Sequence, residues 1–282
     1  MTTYIFPGQG SQCKGMGGSL FSEFPEFTKK ADDILGYSIQ SLCLDDPLQQ
    51  LGKTQYTQPA LYIVNALSYF KKKREALKEP AFVMGHSLGE YSALLAARVF
   101  DFETGLRLVK KRGELMSKAS GGAMAAIIGL KAEDIQTILD KNRPLNVSIA
   151  NHNTRTQIVI SGLKEDVLRA QQLCEQAGAM LVVPLNVSGA FHSPYMSYAQ
   201  KEFELFLKGF QFNTPSIPII SNYTARPYGT ENISENISRQ ITHPVRWTES
   251  VFYVLKTGEQ EFEEIGPGSV LMSLVQRIKN GT

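Results

Sequence analysis

A serine flanked by two glycines is the residue of this sequence best suited to chemistry. Residues 85–89 read Gly-His-Ser-Leu-Gly, which fits the G-x-S-x-G pattern of a nucleophile elbow. In such an elbow the serine occupies a cramped turn between a strand and a helix, where larger flanking side chains would clash. The N-terminus of the following helix can stabilise an oxyanion. A helix N-cap is the alternative role for Ser87, but it leaves Gly85 unexplained, so we interpret Ser87 as a nucleophile.

A serine nucleophile needs a base, and the chain contains four histidines. His86 adjoins Ser87, and neighbouring side chains at such a turn point in different directions, which argues against it. His152 falls in a predicted hairpin and His243 in a loop. His192 follows a predicted strand, from which a loop residue could reach back to the elbow. These patterns favour His192 without excluding the others.

Short apolar runs predict the elements that must position Ser87. The runs at 4–6 and 81–84 indicate buried strands, and the second leads through Gly85 into a helix over 88–97. Strand, glycine turn and helix in this order are typical of an α/β sheet. Further helices are predicted at 24–35, 57–77, 102–118 and 194–208, a strand at 217–221, and a closing strand and helix within 262–278.

The middle of the chain has a different order of predicted strands and helices. Alternating apolar and polar runs predict the order βαββαβ, which is the ferredoxin-like pattern. The predicted strands are 124–130, 147–151, 157–161 and 180–187, and the helices are 132–141 and 164–177. We therefore predict an α/β fold: a large α/β-hydrolase-like domain with a parallel sheet (1–120 and 188–282), and an inserted small ferredoxin-like subdomain (121–187).

Composition excludes several classes of function. The 29 Lys and Arg residues against 27 Asp and Glu leave a net charge of +2, which gives no reason to expect a nucleic-acid partner. Three cysteines without ligand spacing argue against a zinc site or a disulfide framework. The sequence shows no signal-peptide pattern and no apolar stretch near the ~18 residues of a membrane span. We expect a cytoplasmic protein without a metal or cofactor.

Four ordered motifs carry a resemblance to a known family. They are Phe-Pro-Gly-Gln-Gly-Ser-Gln at 6–12, Gly-His-Ser-Leu-Gly-Glu at 85–90, Gly-Ala-Phe-His-Ser at 189–193 and Gly-Pro-Gly at 266–268. From Phe6 to Ile278 the chain resembles the malonyl-CoA:acyl-carrier-protein transacylases of fatty-acid and polyketide synthesis. The stretches 57–62, 65–69 and 100–105 resemble in particular the free-standing, trans-acting acyltransferases of modular polyketide synthases.

The resemblance implies catalytic roles at matching positions. Ser87 would be acylated, and His192 would take its proton and return it to the leaving thiol. The family orients this histidine without a carboxylate, through a glutamine region matched by Gln240. A neutral orienter suffices because a thioester has a good leaving group. Gln9 and the backbone N–H of Leu88 would form the oxyanion hole.

The resemblance also implies a substrate site. Arg112 would hold the free carboxylate of malonate, because a guanidinium pairs with a carboxylate bidentately and lysine does not. Without the motif, residues 110–112 would be interpreted as a solvated helix face. Phe191 would fill the space of a branch methyl group, a preference worth about 1–3 kcal/mol, and Leu88 agrees with malonyl selection. We also assign His86 and Asn151 to substrate binding.

The resulting hypothesis is acyl transfer in two steps through a Ser87 acyl-enzyme. The expected partners are malonyl-CoA and the phosphopantetheine arm of a carrier protein, with the enzyme acting as a monomer. One alternative is an editing hydrolase that admits water to the acyl-enzyme and releases acyl groups from carrier proteins. Arg112 argues against it, because an editor of neutral acyl chains needs no carboxylate clamp. A second alternative, a non-catalytic module that binds carriers, conflicts with the intact set of site residues.

Overall fold

The structure, a computed structural model, describes residues 2–281 and consists of two sheets with helices packed around them. The helices are α1 Leu20–Glu23, α2 Pro25–Leu35, α3 Ile39–Leu44, α4 Thr54–Glu75, α5 Gly89–Ala96, α6 Phe102–Ser117, α7 Ala132–Lys141, α8 Lys164–Gln176, α9 Ser197–Leu207, α10 Ile233–Arg239, α11 Trp247–Lys256 and α12 Val270–Lys279. The strands are β1 Thr2–Phe6, β2 Phe82–Gly85, β3 Gly122–Ile128, β4 Val147–His152, β5 Gln157–Leu163, β6 Leu181–Pro184, β7 Ile219–Ile220 and β8 Glu261–Glu264.

The first sheet is parallel throughout and has the order β7-β2-β1-β8. Helices cover both of its faces, as a parallel sheet requires. Tyr4 and Phe6 of β1 point into the large core that contains α4, α5 and α6, whereas Ile5 points into a second core with α11 and α12. Because side chains alternate between the two faces of a strand, β1 contributes residues to two cores. The α/β fold class predicted from the sequence is confirmed.

The second sheet is antiparallel and has the order β4-β5-β3-β6. Helices α7 and α8 pack on one face, over a core that includes Ile127 and Ile160. On the other face Met124, Ala126 and Val159 line a cavity that faces the first sheet. The βαββαβ order within residues 122–184 is that of the ferredoxin-like pattern. The domain boundaries drawn at 120/121 and 187/188 stay a prediction.

A short backbone pairing joins the two sheets beside this cavity. The register of β4 against β5 shifts between Ile149 and Asn151, which is a bulge in β4. The opposite edge of β4 pairs with Val245: its N–H donates to Ala150 O at 2.9 Å, and its carbonyl accepts from His152 N at 2.9 Å. Since Val245 lies two residues before the start of α11, this pairing fixes the small sheet against the helical layer of the large sheet.

Several predicted elements differ in length from the observed ones. The helix predicted at 194–208 begins with a 3₁₀ turn at Pro194–Met196, because proline lacks the N–H that an earlier helical turn would need. The strand predicted at 217–221 pairs only at Ile219–Ile220, and that at 180–187 only at Leu181–Pro184, whose residues are largely exposed at the sheet edge. Helices α1, α3, α10 and α11 were not predicted, since the first three are too short for clear periodicity.

The basic run at the end of α4 is engaged within the protein. Lys71 pairs with Glu23 at 2.9 Å and Lys72 with Glu263 at 2.6 Å, while Arg74 stacks on the Phe24 ring. Cations also suit the C-terminal end of a helix. Among residues 2–281, no helix combines the length and the apolar character needed to cross a membrane.

Candidate active site

Ser87 lies in the turn between β2 and α5, with its backbone in the left-handed region (φ 50°). A Cβ atom on Gly85 would lie 2.0 Å from the backbone carbon of Gly89, so the strand end and the helix start can approach only without one. Non-glycine residues rarely adopt a positive φ, and such strain is concentrated at functional sites. The local sequence therefore forms the strained elbow that its glycine spacing predicted.

His192 faces the serine from the loop before the 3₁₀ turn. Ser87 Oγ lies 2.8 Å from His192 Nε2, and His192 Nδ1 lies 2.8 Å from the backbone carbonyl oxygen of Gln240. Because a carbonyl can only accept, Nδ1 carries the proton and Nε2 is free to accept the proton of the serine. Burial and the nearby Arg112 charge lower the pKa of His192 to about 3, so the imidazole stays neutral.

Gln240 holds the site together through its side chain as well as its backbone. Its Nε2 atom donates to Ser87 O at 2.8 Å and also to Glu90 Oε2. Its Oε1 atom accepts from Arg112 Nη2 at 3.0 Å. The glutamine region was predicted to orient the histidine; the atom that does so is the backbone oxygen, while the side chain serves the serine and the arginine.

Arg112 is the most deeply buried cation near the nucleophile, at 1% exposure. Its Nη1 atom donates to Gln58 Oε1 at 2.8 Å, and Nη2 donates to Ser87 Oγ at 3.2 Å. Nε has no hydrogen-bond partner among the described residues. Burial lowers the pKa of Arg112, but the guanidinium remains charged in proteins. A guanidinium that lines the cavity and reaches Ser87 through Nη2 is suited to bind an anion that enters the cavity.

The cavity between the two sheets opens directly onto these groups. It has a volume of about 250 Å³ and is lined by Ser87, His192 and Arg112, and also by the predicted residues Gln9, His86, Asn151 and Phe191. Leu88 is not among the lining residues within the described chain; its side chain is buried in the large core. A direct contact between the Leu88 side chain and substrate is thus not supported, whereas its backbone N–H remains at the elbow.

The remaining predicted residues occupy defined positions around the cavity. Gln9 sits in a loop that crosses the elbow so closely that a Cβ on Gly8 would lie 2.2 Å from His86 O. The Gln9 side chain donates to Thr54 Oγ1 at 3.3 Å. His86 points away from Ser87 and contacts Asn153 Oδ1 at 2.8 Å through Nε2. Asn151 lies on the bulged strand β4 and reaches the cavity wall.

Three polar residues of the site were not identified from the sequence. Asn222 accepts from Ser87 N at 2.7 Å and donates to Gly85 O at 2.7 Å. Gln58 binds Arg112, and Glu90 accepts from the backbone N–H of Asn222 at 2.8 Å. Glu90 belongs to the 85–90 motif, and as the single charged residue of α5 it was an available signal. No local pattern marks Asn222 or Gln58.

A serine and a histidine within hydrogen-bonding distance at a strand–helix turn would allow a nucleophilic attack on an acyl group. The chain belongs to the Acyl transferase domain family, which matches residues 3–280. This confirms the family predicted from the four motifs.

Individual relatives agree with this assignment. The chain is 57% identical over 280 residues to the polyketide biosynthesis malonyl CoA-acyl carrier protein transacylase PksC of Bacillus subtilis (strain 168), a match over 99% of this chain and 97% of PksC. The crystal structure of a malonyl CoA-acyl carrier protein transacylase from Burkholderia pseudomallei shares 50% identity and a TM-score of 0.95, covering 100% of this chain and 99% of that one. The complex PlMCAT:AntF, a type II PKS acyl-carrier protein with its malonyl-transacylase, gives 39% identity and a TM-score of 0.95 over 99% and 93%.

Proposed function

We propose that this protein transfers a malonyl group from malonyl-CoA to the phosphopantetheine thiol of an acyl carrier protein. In the first step His192 Nε2 accepts the Ser87 proton while Oγ attacks the thioester carbonyl. The C–S bond then breaks, and His192 returns the proton to the CoA sulfur. In the second step His192 deprotonates the carrier thiol, which attacks the Ser87 ester, and the proton returns to Ser87 as its C–O bond breaks.

One observation carries this proposal: Ser87 Oγ contacts a neutral imidazole on one side and a buried guanidinium on the other. The imidazole supplies a base for acyl transfer. The guanidinium supplies a site for a carboxylate within a few bonds of the attacked carbonyl. A short acyl group that ends in a carboxylate satisfies both, and malonyl is such a group.

The residues that line the cavity suit a thioester carried at the end of a narrow pantetheine arm. Its walls are Met124, Ala126 and Val159 of the small sheet on one side and Leu271 and Leu274 of α12 on the other. These apolar walls suit the pantetheine portion that CoA and carrier proteins share. Gln9 and the Leu88 N–H stand at the elbow as the donors proposed for the oxyanion.

The alternative function, an editing hydrolase, is supported less well. A hydrolase that releases neutral acyl chains gains nothing from a buried cation beside its nucleophile, and burying a charge without a partner is costly. Arg112 is 1% exposed and is hydrogen-bonded to Gln58 and Gln240, so these two residues hold its charge beside Ser87.

The likeness to PksC favours a carrier protein of polyketide biosynthesis. We propose that this carrier belongs to a modular synthase and that the enzyme serves it in trans as a monomer. The cytoplasm is the proposed location, since it keeps thiols reduced and all three cysteines, which lie among the described residues, are unpaired.

The test is the covalent intermediate. After mixing with malonyl-CoA, intact mass spectrometry is expected to show one added malonyl group, which peptide mapping places on Ser87. Adding a holo carrier protein is expected to remove this group and to form malonyl-carrier rather than free malonate. An adduct that persists in Ser87→Ala would contradict the mechanism, and release of malonate instead of transfer would favour the hydrolase.

A further inference from the structure

We infer that Glu90 is a positioning residue for acyl transfer: its carboxylate accepts from the Gln240 side chain and from the Asn222 backbone N–H, and these two residues hold the proposed nucleophile, its base and the carboxylate clamp in place. The inference rests on the proposed function. No role for an acidic residue follows from a serine–histidine pair whose imidazole is bonded to a backbone carbonyl.

The Glu90 carboxylate is fully buried and accepts from three donors. Oε1 accepts from the Asn222 backbone N–H at 2.8 Å and from the Tyr228 hydroxyl at 2.7 Å. Oε2 accepts from Gln240 Nε2. All three partners donate, which is the arrangement that an ionised carboxylate requires and that a protonated carboxyl or a neutral amide cannot fully use.

The side chains of these two residues in turn bind the turn that contains Ser87. Asn222 clamps the elbow from one side, with its Oδ1 on the Ser87 N–H and its Nδ2 on the Gly85 carbonyl. Gln240 clamps it from the other side, with Nε2 on the Ser87 carbonyl at 2.8 Å. The left-handed backbone of Ser87 is costly on its own, so these bonds are what hold Oγ in its position.

The Gln240 amide lies between a buried anion and a buried cation. Its Nε2 faces Glu90 and its Oε1 faces Arg112, so the amide dipole is aligned with both charges. A flipped amide would place a donor against the Arg112 guanidinium and an acceptor against the Glu90 carboxylate. Glu90 therefore determines which way the amide points, and with it the position of the guanidinium that contacts Ser87 Oγ.

Gln240 also links Glu90 to the proposed base, His192. The backbone oxygen of Gln240 accepts from His192 Nδ1 at 2.8 Å, at the end of the short helix α10. A Gln240 residue held by its side chain keeps that oxygen in place. Glu90 thus acts on His192 through one intervening residue, where other serine enzymes place a carboxylate directly on the histidine.

Burying the Glu90 carboxylate costs free energy, and this cost supports a role for Glu90 in positioning other residues. Burial raises the pKa of Glu90 to about 7, even though the bonds from Asn222, Tyr228 and Gln240 and the Arg112 charge all act to lower it. An apolar side chain on α5, whose other residues are almost all buried among core residues, would fill this space without that cost.

The experiment compares the isosteric variant Glu90→Gln with the wild type by rapid-quench measurement of Ser87 acylation by malonyl-CoA. Rates are normalised to the fraction of protein that can be acylated at completion. The variant presents an NH₂ group to Gln240 Nε2 and is expected to acylate about a hundredfold more slowly per active site, the scale of an ångström-sized misplacement. The loss is expected in kcat, with a smaller change in KM.

Two further variants separate positioning from folding. Asp32→Asn changes a part-buried acid remote from the site, whose carboxylate binds the Ile39 N–H, and is expected to leave the acylation rate unchanged. In a Gln240→Ala background, Glu90→Gln is expected to slow acylation by a smaller factor than in the wild type, because the route through Gln240 has been removed and only the route through Asn222 remains. Should Glu90→Gln not fold, Glu90→Asp shortens the carboxylate by one methylene and is expected to slow acylation in the same direction.

The outcomes distinguish this inference from the proposed function. A wild-type protein that malonyl-CoA does not acylate contradicts the proposed function. A wild type that is acylated, with Glu90→Gln equally fast per active site whatever its melting temperature, overturns the positioning role alone. The positioning role is also overturned if Glu90→Gln slows acylation by the same factor in the wild type and in the Gln240→Ala background.

Discussion

The Arg112 guanidinium donates to Ser87 Oγ at 3.2 Å, so the proposed carboxylate clamp touches the atom that would attack the thioester. In a malonyl group a single methylene separates the carbonyl from the carboxylate. The short distance between the two residues therefore matches a short acid. It also means that one cation can orient the substrate and polarise the nucleophile.

Replacement of Arg112 by alanine should reduce malonyl transfer far more than acetyl transfer. Removing one partner of a buried charge pair costs about 2–5 kcal/mol, which corresponds to a loss of kcat/KM of roughly thirtyfold to several thousandfold for malonyl-CoA. Acetyl-CoA lacks the carboxylate and should lose much less. Steady-state kinetics with both thioesters check this, with Arg112→Lys as the variant that keeps the charge but loses the fork. Equal losses for the two substrates would reject the clamp.

His192→Ala should slow acylation of Ser87 by about 10²–10⁴-fold, the contribution of a positioned general base. The measurement is rapid-quench formation of the acyl-enzyme. His243→Ala is the matched control, since His243 contacts Thr242 and the Arg239 carbonyl rather than Ser87, and its rate should stay near that of the wild type. If the two histidine variants behaved alike, the base would have to be reassigned.

The fall in the acylation rate at acidic pH should follow the protonation of Glu90 rather than that of His192. The pKa of Glu90 is raised to about 7 by burial, and the titratable groups acting on it are Tyr228 and Arg112. The pKa of His192 is held at about 3. Only ionised Glu90 accepts all its donors, so the rate should be full above pH 7 and fall as the pH drops through 7.

The variant Glu90→Gln separates these two assignments. Its rate should be low but independent of pH between about 5 and 8, where an amide does not titrate. An acidic limb near pH 7 that persists in this variant would assign the titration to another group.

Phe191→Ala should relax the choice between malonyl and methylmalonyl groups. The ring is 5% exposed and lines the cavity next to His192, so its removal frees space for a branch methyl. The ratio of kcat/KM values should shift by about 1–3 kcal/mol toward methylmalonyl-CoA. Phe203→Ala, a truncation in the same core away from the cavity, controls for lost stability. An unchanged ratio would show that selection lies elsewhere.

The elbow and the small sheet were predictable because their signals are local. Glycines on either side of Ser87 report a turn that only small residues permit. The helix predicted at 132–141 matches α7 in both bounds, since apolar residues recur there at helical spacing, as Ile135 and Leu139 do. Strand β7 was overestimated because Pro218 has no N–H to donate to the sheet, and the Ser221 N–H bonds to Arg226 O instead of to a neighbouring strand.

What the sequence by itself determined was the candidate nucleophile, its turn and the order of the main strands and helices, all of which depend on residues close together in the chain. The resemblance to a family assigned Arg112 to the site, but the composition of residues 110–112 is that of a solvated helix face, and only the tertiary structure shows that Arg112 is buried against Ser87. The network of Glu90, Asn222 and Gln240 joins positions more than 100 residues apart, from α5 to Asn222 and α10. Hydrogen bonds over that separation leave no periodicity to detect, because the fold alone brings their donors and acceptors together.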